Sequence, residues 1–68
     1  MPEQFEQFDL VALIDDLPAE GLAAGAVGTI VHVHDDPEPA YEVEFTDAEG
    51  RTTALTTLHP DQVRPTST

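Results

Sequence analysis

From Val27 to His34 the chain reads Val-Gly-Thr-Ile-Val-His-Val-His. Successive side chains of a β-strand point to opposite faces. Strict alternation therefore places Val27, Thr29, Val31 and Val33 on one face and Gly28, Ile30, His32 and His34 on the other. The same period returns from Ala40 to Thr46, with Tyr41, Val43 and Phe45 directed inward and Glu42 and Glu44 outward. Between these two strands lies Asp35-Asp36-Pro37-Glu38-Pro39. Proline has no amide donor for a ladder, so this stretch is a hairpin loop.

The flanking segments extend the pattern. Residues 9–14, Asp-Leu-Val-Ala-Leu-Ile, predict a first strand buried on both faces. Residues 15–26 contain Pro18, Gly21 and Gly25 and read as a long loop anchored by Leu17 and Leu22. Asp47-Ala-Glu-Gly50 places a capping aspartate at the start of a turn and a glycine tolerant of positive φ at its end. Residues 51–58 form a Thr-rich fourth strand. His59-Pro-Asp-Gln62 is a single helical turn with Pro60 at its first position, and Val63-Arg64 is a very short last strand. Phe5 and Phe8 are three apart, so one helical turn sets both on one side, where they either plug the end of the core or belong to a frayed tail. The expected fold is all-β: a small five-stranded SH3-like barrel with a long loop after the first strand and one short helical turn before the last. The expected divisions are a lead over residues 1–8, the barrel over 9–65 and a tail over 66–68.

Length tightens this reading. A chain of 68 residues holds one domain, and such a domain buries only about 60% of its unfolded surface. There is no cysteine, so neither a disulfide nor a thiolate metal site can help. Apolar burial must hold the core, with Phe5, Phe8, Tyr41 and Phe45 as its expected aromatics.

Charge changes the functional picture more than the fold. Fourteen acids face two cations, Arg51 and Arg64, for a formal net charge of -12. Such a surface repels phosphate backbones and anionic lipid. Nucleic acid and membrane are therefore excluded as expected partners; the surface favours a basic protein or a cation, or is simply a solvated acidic surface that keeps the chain soluble. No apolar run approaches the roughly 20 residues of a membrane span. The acidic start, Met1-Pro-Glu-Gln-Phe5, is unlike a basic secretory leader, so the expected location is cytoplasmic.

The segments Asp9-Leu-Val-Ala-Leu13, Leu17-Pro-Ala-Glu-Gly-Leu22, Gly25-Ala-Val-Gly-Thr-Ile-Val31, Ala40-Tyr-Glu-Val-Glu-Phe45, Gly50-Arg51 and Asp61-Gln-Val-Arg-Pro65 together resemble a family of small bacterial proteins catalogued as a domain of unknown function. The resemblance runs from about residue 9 to 65. It supports the barrel and implies no activity. The stretch from Gly25 to Val31 with its histidine-rich end is also similar to the barrel of the nitrile hydratase β subunit and its accessory proteins. Members of that group are subunits or chaperones of a metalloenzyme. The same stretch looks like a KOW element, which implies nucleic-acid binding.

Candidate chemistry concentrates on His32-x-His34 facing Glu42-x-Glu44 across the hairpin. Two imidazoles and a carboxylate can hold zinc or a similar metal, which makes His32, His34, Glu42 and Glu44 the candidate metal residues. Without metal, the face is an exposed polar surface of His–Glu pairs. Asp15, Asp16, Asp35 and Asp36, with Glu42 and Glu44, are the candidate partner-binding acids. The two aspartate pairs lack the spacing of a dedicated calcium loop. Catalysis has little support: cysteine is absent, Ser67 lies in the tail, and His59 precedes a proline and is expected to bond a local carbonyl. Arg51 and Arg64 are expected to pair with nearby carboxylates. The resulting expectation is a non-catalytic acidic module that docks on a basic protein as an immunity, inhibitor or maturation factor. It carries no cofactor and is a monomer or weak homodimer. Metal binding through His32 and His34 and a KOW-like nucleic-acid-binding barrel are the alternatives.

Overall fold

The computed structural model describes residues 5–66. Met1 to Gln4 of the expected lead, and Ser67 and Thr68 of the expected tail, lie outside the described residues. Five strands form one antiparallel sheet: β1 (Leu10–Leu13), β2 (Val27–His34), β3 (Ala40–Thr46), β4 (Thr52–Leu58) and β5 (Val63–Pro65). Their order is β4-β3-β2-β1-β5. A 3-10 turn, Pro60–Gln62, directly precedes β5. The expected all-β class, the strand count, the long loop after β1 and the turn before the last strand are all present.

The connection from β4 to β5 dictates the shape. These strands are the two edges of the sheet. In a flat sheet, four steps of about 4.8 Å would hold them about 19 Å apart. The link between Leu58 and Val63 spends most of its length on the compact 3-10 turn. The sheet therefore curls until Leu58 and Val63 enter the same core, where they join Val11, Leu13, Ile30, Tyr41, Val43 and Phe45. Every strand contributes to this cluster, and no polar or charged residue among those described is buried with it. The result is a small barrel-like fold.

Strict alternation fails in β2. Ile30 lies opposite Val43, His32 opposite Glu42, and Val33 opposite Tyr41, with a shift of register between Ile30 and His32. One extra residue enters at Val31, a β-bulge that switches the strand between faces. Before the bulge, Gly28 and Ile30 are buried, Thr29 lies opposite Glu44, and Val27 is 51% exposed. After it, Val33 packs against the core and the histidines face outward with Glu42. The expected shared face of Val27, Thr29, Val31 and Val33 is thus corrected: the inward set is Gly28, Ile30 and Val33.

Two further expectations are revised. Phe8 is not a core aromatic, being 69% exposed. Its φ of 76° turns the chain outward where a helical turn would have kept it beside Phe5. Its N–H donates to the Ile30 carbonyl, and the Ile30 N–H donates to Asp9, so residues 8 and 9 extend the pairing of β1 with β2. Phe5 does plug the core. Its ring meets Tyr41 edge-on at 5.7 Å between centroids, and its N–H donates to the Tyr41 hydroxyl at 3.1 Å. The first strand is not covered on both faces along its length. Val11, Ala12 and Leu13 are buried, while Leu10 and Ile14 at its margins are exposed. The long loop is anchored as expected, by a Leu17–Leu22 bridge around the 3-10 turn Pro18–Glu20, with both leucines against the core.

Gly28 lies on β2 where there is no room for a side chain against β3. A Cβ there would lie 2.6 Å from Val43 Cγ1, 2.9 Å from Phe45 Cε2 and 3.0 Å from the Glu44 carbonyl oxygen. The backbone oxygen cannot move aside without disturbing the ladder. Gly28→Ala is expected to lower stability by about 1–3 kcal/mol through overpacking. Urea denaturation checks this, and an unchanged midpoint would contradict the close packing described.

Candidate functional site

The bulge at Val31 and the hairpin that follows bring histidines and glutamates onto the outer surface of β2, β3 and β4. His32 lies directly across from Glu42. His34 Nε2 is 3.6 Å from Glu42 Oε1, and the rings of His32 and His34 meet edge-on at 4.6 Å between centroids. Three of the four residues expected on this face are therefore neighbours. Glu44 is set apart: it lies opposite Thr29 on β2 and Leu55 on β4. Among the described residues, no three of His, Cys, Asp and Glu gather into a group able to hold a metal ion.

Threonines of β4 engage these carboxylates, which the sequence reading did not foresee. Thr57 Oγ1 donates to Glu42 Oε1 at 2.6 Å, and Thr52 Oγ1 donates to Glu44 Oε2. The register pairs Glu42 with Thr57 and Glu44 with Leu55, so the outer surface of β4 runs Thr57, Leu55, Thr52. Leu55 is 57% exposed between the two carboxylate-bound threonines. A threonine hydroxyl opposite a glutamate is a detectable sequence signal, but only once the register of β3 on β4 is known. A second shift, between Phe45 and Thr46, hid that register.

The aspartate pairs occupy two different loops. Asp15 and Asp16 follow β1 and are exposed, and Asp16 Oδ1 accepts a hydrogen bond from the Ala24 N–H at 2.8 Å. Asp35 and Asp36 follow His34 directly and are exposed in the β2–β3 hairpin. That hairpin meets the segment after β4 at a shallow, open depression of about 410 Å³ lined by Glu38, Pro39, His59, Pro60 and Asp61. His59 is held through its backbone N–H, which donates to Gln62 Oε1 at 2.8 Å and closes the 3-10 turn. No helix of the described chain is long and apolar enough to cross a membrane.

The turn at Asp47 follows the sequence closely. Asp47 Oδ1 accepts the N–H groups of Glu49 and Arg51, both at 2.9 Å, and Gly50 takes a φ of 83°. Arg51 pairs with Asp47 at 3.2 Å and with Glu49 at 3.3 Å, so the expected pairing role of this cation is realised. The backbone N–H of Arg51 is the main cause that holds the Asp47 carboxyl below its ordinary value of 3.8, followed by the Glu49 N–H and the Arg51 side chain.

The family model described as Domain of unknown function (DUF4926) matches residues 7–65. No curated protein and no solved structure matches the chain.

A depressed carboxyl pKa stabilises the fold above the unfolded value and ceases to do so as pH falls through the folded value. Asp47→Asn keeps an acceptor oxygen but removes the charge. Its melting temperature is expected to fall below wild type at pH 7, and the gap is expected to close as pH drops below 3.8. Thermal melts from pH 7 to pH 2 check this. A gap that persists unchanged at the acid end would contradict the assignment.

Proposed function

The chain belongs to the DUF4926 family, whose model spans residues 7–65, and we propose that it is a non-catalytic acidic module that docks on a basic protein partner. The observation that carries the proposal is the arrangement of charge. Fourteen acids face two cations in the sequence, and no charged residue among those described is buried, so the carboxylates present their charge to solvent. Arg51 is already neutralised by Asp47 and Glu49. A surface of one sign speeds the approach of an oppositely charged protein and rejects wrong partners by repulsion. The same field disfavours nucleic acid, whose phosphates it repels.

The strand order β4-β3-β2-β1-β5, with a 3-10 turn between the last two strands, supports reading the barrel as SH3-like. Such a compact barrel is a rigid platform for a docking surface. Its histidines and carboxylates lie on open sheet and loop surfaces, and the depression at His59 is shallow, which favours recognition over catalysis. A cysteine-free chain is unaffected by reducing conditions, which suits the proposed cytoplasmic location. Immunity, inhibition and maturation of a basic enzyme are the roles this chemistry fits.

Two measurements test the reading. Tagged protein is used for pull-down from native lysate at low and at high salt, beside a variant carrying Asp15→Asn, Asp16→Asn, Asp35→Asn and Asp36→Asn. A basic protein captured at low salt, weakened by added salt and by the variant, is the expected result. Equal recovery by both proteins, or none by either, would count against charge-driven docking. Separately, self-repulsion at a net charge of -12 lowers the stability of the compact state, and salt screens it. The melting temperature is therefore expected to rise from low to moderate salt. A flat or falling curve would show that the acids do not act as a collective field.

A further inference from the structure

β4 is an edge strand of seven residues, Thr-Thr-Ala-Leu-Thr-Thr-Leu, with no charge, no proline and no glycine. Proteins ordinarily blunt an exposed edge with lysine, proline or an inward charge, because its unpaired N–H and C=O groups are a template for another strand. Here a chain with fourteen acids places none of them on this strand. Among the described residues, β4 has β3 as its ladder partner, and no backbone hydrogen bond joins residues 52–58 to a loop or turn. The opposite edge, β5, is only three residues long and ends in proline.

The outer surface of this edge carries a pattern. Thr57 and Thr52 hold the carboxylates of Glu42 and Glu44, and exposed Leu55 stands between them. A strand added alongside β4 would set three of its outward side chains opposite Thr57, Leu55 and Thr52. Directly opposed side chains lie about 5 Å apart. Lysine or arginine at the two outer positions reaches across the short threonines to Glu42 and Glu44. An apolar residue at the middle position covers Leu55. We infer that the free edge of β4 binds an extended segment of a basic protein by strand addition, selecting a basic–x–apolar–x–basic alternation. Main-chain hydrogen bonds supply the affinity, and the Glu42–Leu55–Glu44 row supplies the choice of side chains.

A second copy is the competing occupant, and charge argues against it. Pairing two β4 edges brings two Glu42–Glu44 rows together on molecules that each carry a net charge of -12. A basic segment neutralises that row. The inference rests on the docking function proposed above and adds the place and the form of contact.

The test uses the full chain and three fluorescent dodecapeptides. The first repeats Arg-Thr-Leu-Thr-Arg-Thr, the second is a scramble of the same composition without alternation, and the third is the first with alternate backbone amides N-methylated. Anisotropy gives affinity, and amide hydrogen exchange locates the contact. The expected result is tightest binding by the first peptide, with new protection confined to residues 52–58. The scrambled and methylated peptides and the surface variant Leu55→Lys are each expected to weaken binding by about tenfold or more. Because Leu55 is exposed, this variant is expected to keep the fold, and a melting temperature no lower than that of the wild type confirms it. Equal, salt-sensitive binding of the alternating and scrambled peptides without protection at β4 overturns strand addition and leaves charge-driven docking standing. Binding of neither peptide overturns strand addition, while the lysate experiment continues to judge the docking proposal separately. A dimer seen by sedimentation equilibrium and abolished by Leu55→Lys would make the second copy the occupant and overturn the inference.

Discussion

The short link between β4 and β5 is the constraint on which the rest of the molecule depends. It joins the two edges of a five-stranded sheet through a 3-10 turn, and it permits only a curled sheet. Curling gives a small chain an inside. Eight side chains drawn from all five strands fill it, no described charged residue shares it, and its one polar side-chain group, the Tyr41 hydroxyl, accepts the Phe5 N–H. With no charged residue in the interior, every described carboxylate is left at or near the surface. The acidic exterior is thus a consequence of the fold as much as of composition: nothing inside can pair a charge, and an unpaired buried charge is prohibitively costly.

The bulge at Val31 sets what that exterior presents. Without it, Ile30 and the two histidines would share a face, and burying Ile30 would draw His32 and His34 into an apolar core. The extra residue lets Ile30 face Val43 and Val33 face Tyr41 while both histidines remain outside beside Glu42. Gly28 belongs to the same arrangement. It allows β2 to lie against Val43 and Phe45 just before the bulge, at a distance no side chain permits. A glycine and an inserted residue therefore decide together which of eight consecutive residues are core and which are surface.

These local devices explain how far the sequence could be read. Strong alternation in β3 fixed the inward Tyr41, Val43 and Phe45, because an unbroken period of two admits one assignment of faces. Pro60 before Asp61 and Gln62, and Asp47 ahead of Gly50, carried enough local chemistry to place both turns. Bulges leave no comparable mark. Val31 is indistinguishable by type from its neighbours, and the shift near Thr46 concealed the pairing of Thr57 with Glu42 and of Leu55 with Glu44. Phe8 was misplaced for a related reason: a positive φ at a phenylalanine has no signal in residue type. His32, His34 and Glu42 could be brought together from the hairpin alone, whereas separating Glu44 from them required the register.

The charge of the molecule and its uncharged edge answer a single physical problem. A threonine-rich strand with open backbone groups would ordinarily promote self-association, and individual gatekeeper residues are the common remedy. Here the whole surface supplies the repulsion: at a net charge of -12, two copies must overcome mutual repulsion before their edges can meet. Repulsion of that kind depends on the approaching molecule and not on the strand itself. It blocks a second acidic chain and attracts a basic one, so the edge can stay chemically open without being generally adhesive. In the proposed docking, a distributed acidic field keeps the edge selective by sign, and the Glu42–Leu55–Glu44 row, set by the register of β3 on β4, would add selection by sequence.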